Sequence, residues 1–169
     1  MKAELDELII KLKPRVLSLV YEHEHGFSRN GQSLLLGGDH DRDLIIAHRL
    51  RSDLIVTSGT TAEIEQYSQP SKPLVLITTR PSAAAWLEAK RLELEDPELI
   101  SMIAQKLVLY ETGLTISRLL FEKQLIDQIV IHHDHANFDT SNLKGFDIRL
   151  SFSVNYYQRY ISVFERRGR

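Results

Sequence analysis

Two hydroxyl-rich junctions carry the residue types best suited to chemistry. The first is Leu54-Ile55-Val56-Thr57-Ser58-Gly59-Thr60-Thr61-Ala62-Glu63. The second is Leu109-Tyr110-Glu111-Thr112-Gly113-Leu114-Thr115. Each reads as an apolar strand, a turn with one glycine, and the start of a helix. In an open α/β sheet, ligands bind beyond the carboxyl ends of the strands. A helix that begins there offers unpaired N–H groups and a partial positive charge, which suit a phosphate. Glycine lets that phosphate approach the backbone. The hydroxyls of Thr57, Ser58, Thr60, Thr112 and Thr115 can add hydrogen bonds. G-x-G-x-x-G does not occur in the chain, so a plain helix cap is the alternative for each junction. Glu63 works against the phosphate reading, because a first-turn carboxylate competes with a bound anion.

The histidines are a second candidate. His23 and His25, and His133 and His135, are i,i+2 pairs that share a face when extended. With Glu24 or Asp134 they have the donor types of a zinc site. Exposed loop histidines at a polar pocket mouth or a dimer contact are the commoner outcome, and no metal site is expected. The chain has no cysteine, which excludes disulfides, thiolate zinc sites, iron–sulfur clusters and a cysteine nucleophile. That absence fits the reducing cytoplasm, the expected location.

The elements that must position these residues follow from periodicity. Leu5, Leu8, Ile9 and Leu12 recur at helical spacing before Pro14, which predicts an amphipathic helix over residues 3–12. Strands are expected at 15–22, 53–57, 74–78, 107–110 and 126–132. Their continuous apolar runs suit strands buried on both faces. Helices are expected at 41–51, 61–67, from 97 to about 105, and at 115–123, the last with Ile116, Leu119 and Leu120 inward. Thr60 and Glu63 have capping-box spacing. Asp96-Pro97-Glu98 places proline at a first helical position. Residues 82–94 lean helical. Residues 148–154 and 156–163 read as an antiparallel pair. The alternation predicts an α/β domain spanning 1–169, with a mostly parallel central sheet flanked by helices and a C-terminal antiparallel strand pair.

Bulk properties narrow the function. With 21 basic and 23 acidic residues in 169, nothing announces the basic face of a nucleic-acid binder, and none is expected. No apolar run approaches the ~20 residues of a membrane span, and the N-terminus lacks a signal-peptide pattern. The basic tail at 164–169 reads as a solvated end. Tyr156, Tyr157, Tyr160 and Phe164 read as packing residues.

Several motifs, taken in order, resemble one family. They are Gly31-Gln32-Ser33, then Asp41-Arg42, then His48-Arg49-Leu50-Arg51-Ser52-Asp53, then Ser58-Gly59-Thr60. Leu76-Ile77-Thr78-Thr79-Arg80 follows, then Glu111-Thr112-Gly113-Leu114-Thr115 with Leu119-Leu120 and Leu125-Ile126-Asp127-Gln128. Together they resemble the reductase domain of the bifunctional riboflavin-biosynthesis deaminase/reductases over residues 14–155. The resemblance implies a dihydrofolate-reductase-like fold, a homodimer, and NADPH-dependent hydride transfer to a phosphorylated aminopyrimidine, the 5-amino-6-(5-phosphoribosylamino)uracil of riboflavin biosynthesis. It implies that Thr57, Ser58, Gly59 and Thr60, with Glu111, Thr112, Gly113, Leu114 and Thr115, hold the dinucleotide. Arg80 and Ser82 would then lie near its 2′-phosphate, and Ser33, Arg42 and Arg51 would grip substrate. The sequence departs from the family pattern in four places. Thr112 replaces a glycine. Glu22-His23-Glu24-His25-Gly26 stands for S-x-D-G. Leucines at 34–36 stand where a tryptophan is expected. His132-His133-Asp134-His135 replaces an apolar loop. A non-catalytic homologue, serving as a dimeric scaffold or a nucleotide-binding module, is the alternative.

Overall fold

The apolar runs assemble into one sheet. The structure, a computed structural model, describes residues 2–28 and 36–168. Its strands are β1 (Arg15–Tyr21), β2 (Leu54–Ser58), β3 (Leu74–Ile77), β4 (Lys90–Leu92), β5 (Val108–Tyr110), β6 (Gln128–His133), β7 (Ile148–Tyr156) and β8 (Arg159–Arg166). They lie in the order β4-β3-β2-β5-β1-β6-β8-β7. Neighbours from β4 to β6 pair in parallel. β8 runs antiparallel to both β6 and β7. Every residue of β2, β3, β5 and β6 is buried, as continuous apolar strands require when both faces are covered.

Side-chain alternation sorts the core into two faces. On one, Val16, Val130, Ile161 and Val163 pack under α1 (Lys2–Ile10) and α2 (Asp39–Arg51). Ile55, Leu74 and Leu76 continue that face under α3 (Gly59–Ile64), with Ala62 and Tyr67. On the other, Leu17, Ile129, Ile131 and Phe164 meet Leu99 and Ile103 of α4 (Pro97–Ile103) and Leu120 and Phe121 of α5 (Leu114–Glu122). Among the described residues, no helix is long and apolar enough to cross a membrane.

Four expectations are corrected. Residues 82–94 are not helical: a turn leads into β4, a parallel edge strand. The Arg91 guanidinium donates to the carbonyls of Ala83, Ala84, Leu87 and Ala89, and Ala84 has φ +45°. The alanines wrap around the arginine instead of coiling. In α5, Ser117, Leu120 and Phe121 are buried and Ile116 packs against the core as expected, while Leu119 is exposed. The capping residue of α3 is Ser58, which accepts from Thr61 N; Glu63 serves elsewhere. The tail at 164–169 is structured at its start. Phe164 is core, and Arg166 lies 3.8 Å over the Phe121 ring as β8 continues. Arg167 Nε then donates to the Ile148 carbonyl at 2.8 Å.

Candidate functional site

Because β2 and β5 are parallel neighbours, Leu54 opposite Val108 and Val56 opposite Tyr110, the two hydroxyl-rich turns leave the sheet side by side. They are bonded to each other. Thr57 Oγ1 donates to the Glu111 carbonyl at 2.6 Å. Thr61 Oγ1 accepts from Ser58 Oγ at 2.7 Å and from Gly113 N at 3.2 Å. Thr61 is a junction residue that sequence reasoning passed over; its signal was the run of hydroxyls from Thr57 to Thr61.

The two glycines have different reasons. A Cβ on Gly59 would come 2.8 Å from Ala83 Cβ and 2.9 Å from Thr78 Oγ1. Close packing of α3 on the β3 turn therefore excludes any side chain there. Gly113 is exposed, has φ −64°, and a Cβ on it would meet only Thr61 Oγ1 at 3.6 Å. Packing does not require that glycine. α5 begins there without a side-chain cap, so its first-turn N–H groups are available at the carboxyl edge. Thr60 and Thr115 are exposed on either side. Thr112, which stands where the family pattern has glycine, is turned inward: its hydroxyl lies 2.7 Å from Ser117 Oγ, and the residue is buried. The outer surface of the turn stays bare backbone, and its donors are of the kind a pyrophosphate takes.

Glu111 contributes its carbonyl to this edge, but its carboxylate is committed behind it. Arg49 binds it with two prongs, at 2.8 and 2.7 Å, and the Tyr67 hydroxyl donates to it at 2.5 Å. Burial opposes the Arg49 charge, yet Glu111 outweighs burial and holds the guanidinium above its ordinary pKa. Burial, then Glu111, pushes the Tyr67 phenol up. This knot ties α2 to the end of β5.

Beyond β3, Arg80 Nη2 donates to Glu63 Oε2 at 2.5 Å and Ala84 N donates to Glu63 Oε1 at 3.2 Å. The Arg80 hydrogen bond, then the Ala84 N–H, holds the Glu63 carboxyl below the usual range. Ser82 is exposed in the same turn. Arg42 is exposed in the first turn of α2. Arg51 does not join them, which corrects its expected place on substrate. It sits at the opposite end of a 13-residue helix, about 14 Å from Arg42 along the axis. There its guanidinium donates to the Leu12 and Lys13 carbonyls at 2.6 and 3.1 Å. Ser33 lies outside the described residues.

The β1, β6 and β8 side of the same edge is built differently. Asp41 of α2 pairs with His132 Nδ1, and its Oδ2 lies 3.3 Å from Arg159 Nη2. Arg159 also reaches Glu22 at 4.0 Å. Gly38 N donates to Asp41 and Gly37 N to Glu22, both at 2.8 Å. Burial disfavours the Asp41 charge, but His132, Arg159 and the Gly38 N–H together hold its carboxyl below the ordinary value. Two turns along α2 from Asp41, His48 is buried with neither ring nitrogen bonded. Burial, then Arg51 and His132, pushes its pKa down to about 3. The histidine pairs separate: His133 is buried against Ser162 Oγ at 2.8 Å, whereas His135 is exposed and stacks on His23 at 5.0 Å. Among the described residues, no three metal-ligating side chains form a cluster.

Two grooves lie away from this edge. One, of about 600 Å³ between α1 and β7, is mainly apolar, lined by Leu5, Leu8, Phe152, Val154 and Ile161. The other, of about 330 Å³, is at the amino edge, where Arg15 donates three hydrogen bonds to Asp127. Neither brings an uncapped helix start to its wall.

No family model matches the sequence. No curated protein matches it either. Solved structures do match the fold. A pyrimidine reductase-like protein from Corynebacterium diphtheriae superposes with a TM-score of 0.68 over 95% of this chain and 98% of its own, at 14% identity. Acinetobacter baumannii RibD gives a TM-score of 0.62 at 17% identity over 92% of this chain, which spans 58% of that protein. Dihydrofolate reductase from Enterococcus faecalis, in a complex with NADP(H), gives 0.64 at 11% identity, covering 90% of this chain and 96% of that one. With the observed strand order and the single reversed strand β8, these likenesses show that the chain has the dihydrofolate-reductase-like fold.

Proposed function

We propose that the chain is a reductase that binds a reduced nicotinamide dinucleotide across the carboxyl ends of β5, β2 and β3. Its second substrate is a small phosphorylated pyrimidine-like molecule. The observation that supports this best is the bare turn at Gly113: an uncapped helix start beside a second hydroxyl-rich turn, with Thr112 folded inward. In this reading the backbone N–H groups at the start of α5 hold the pyrophosphate, and the exposed Thr60 and Thr115 hydroxyls flank it. The dinucleotide, when bound, supplies the hydride. The chain's own task is to position the two reactants and exclude water, since hydride transfer depends mainly on alignment. Arg42, exposed at the first turn of α2, is the cation best placed for a phosphorylated substrate at this edge. The reading includes the homodimer and the cytoplasmic location that the sequence resemblance implies.

One observation favours a second reading, a non-catalytic scaffold: Ser58 is already bonded to Thr61, and Glu63 to Arg80. Titrating protein into NADH and into NADPH while following nicotinamide fluorescence separates the two. Saturable binding, abolished in Gly113→Val without loss of thermal stability, is the result expected of the reductase. A Cβ fits at Gly113, so the variant folds, and its branched side chain blocks only the outer surface of the turn. No binding at millimolar dinucleotide contradicts the reductase and supports the scaffold.

A further inference from the structure

We infer that Glu63 makes this site select a dinucleotide with a free adenosine 2′-hydroxyl, NADH, over one with a 2′-phosphate. The inference rests on the dinucleotide reading and names its cofactor. In that reading, with the pyrophosphate between β5 and β2, the adenosine half lies toward β3, the next strand at about 4.8 Å spacing. There the turn after β3 presents two donors suited to a phosphate, the Arg80 guanidinium and the Ala84 N–H. Both are already held by the Glu63 carboxylate. Thr78 Oγ1 takes the Arg80 N–H at 3.0 Å, which fixes the arginine backbone beside it. Arg91, behind the same turn, is spent on four backbone carbonyls.

Charge decides the outcome. An exposed ion pair is weak, so the Arg80–Glu63 contact alone does not bar a competing phosphate. The carboxylate's own charge does. Arg80 and Glu63 sum to zero, which leaves no net positive charge for a phosphate bearing about −1.5 to −2. A ribose 2′-hydroxyl, in contrast, can donate to a carboxylate. An acidic side chain at the ribose is the usual device for choosing the unphosphorylated cofactor, and an unpaired arginine the device for the phosphorylated one.

The test is a fluorescence titration of wild type, Glu63→Gln and Arg80→Ala with NADH and NADPH at one ionic strength, with thermal unfolding as the check on folding. Glutamine keeps the shape and an oxygen for Ala84 N, and removes the charge. Wild type is expected to bind NADH about tenfold more tightly than NADPH. Glu63→Gln is expected to gain about tenfold in NADPH affinity with little change for NADH. Arg80→Ala, which leaves the carboxylate charge without its cation and with only the Ala84 N–H on it, is expected to weaken NADPH further. A wild type that prefers NADPH, or a Glu63→Gln variant that shifts both cofactors equally, overturns the inference and leaves the dinucleotide reading standing. Failure of all three proteins to bind either cofactor overturns that reading and this inference with it.

Discussion

The carboxyl edge of this sheet has two halves built on opposite terms. At β2 and β5, neutral hydroxyls and backbone N–H groups bond to one another, and one helix start is left open at the surface. At β1, β6 and β8, titratable and charged side chains lie inside the protein: Asp41 and His132 are almost fully buried, with Arg159 and Glu22 beside them. The first half tolerates an arriving anion because nothing charged must be displaced from the turn at Gly113. The second holds its shape through charge pairing in low dielectric, where losing one partner is costly. The difference implies that ligand affinity and fold stability are divided between them, and substitutions can pull the two apart.

The largest effect is expected at Asp41. Asp41→Ala leaves His132 and Arg159 facing each other without their carboxylate, and should cost ~3–5 kcal/mol in urea unfolding. A cost below ~1 kcal/mol would mean the cluster is not the buried charged centre described here.

Next is the pH response of His48. Its folded-state pKa lies at about 3 against an ordinary 6.5. Below 6.5 the unfolded chain takes up a proton that the folded protein refuses. The stabilisation is complete above pH 6.5 and falls as the pH drops toward 3, by about 2 kcal/mol at pH 5. Asp41 acts in the same direction at lower pH: its carboxyl is depressed, so its contribution is present above the ordinary carboxylate range and lost as pH falls through it. Urea midpoints at pH 7 and pH 5 measure the His48 part. His48→Leu should flatten the slope and add ~1 kcal/mol at neutral pH, because it removes two buried nitrogens without partners.

The smallest effect belongs to the open half. Thr61→Val removes the hydroxyl that joins Ser58 to Gly113 and should cost only ~1 kcal/mol, yet loosen dinucleotide binding several-fold by freeing the two turns. If stability falls as far as in Asp41→Ala, the contrast between the halves disappears.

The buried strands and the meeting of the two turns were readable in the sequence, because continuous apolar runs such as Leu54–Val56 and Ile129–Ile131 permit little else once helices alternate with them. What could not be read was non-local. Ala83, Ala84 and Ala85 favour a helix by propensity, but Arg91, several residues on, draws the carbonyls of Ala83 and Ala84 into a turn. The expected α5 stripe of Ile116, Leu119 and Leu120 holds except at Leu119, which is exposed. The helix is rotated so that Ser117 meets Thr112 and Phe121 fills the core, a choice helical periodicity leaves open. Asp41, His132 and Arg159 come from three distant segments, and only the sheet order brings β6 and β8 beside α2. Arg51 matched a family motif, yet its position at the amino end of the sheet is set by helix length.

The most direct test is a crystal structure of the protein with a bound nicotinamide dinucleotide. The account predicts the pyrophosphate against the backbone N–H groups of Leu114 and Thr115, with the adenosine ribose toward Glu63. A dinucleotide seated instead in the apolar groove between α1 and β7, or an edge at Gly113 that stays empty at saturating ligand, would contradict it.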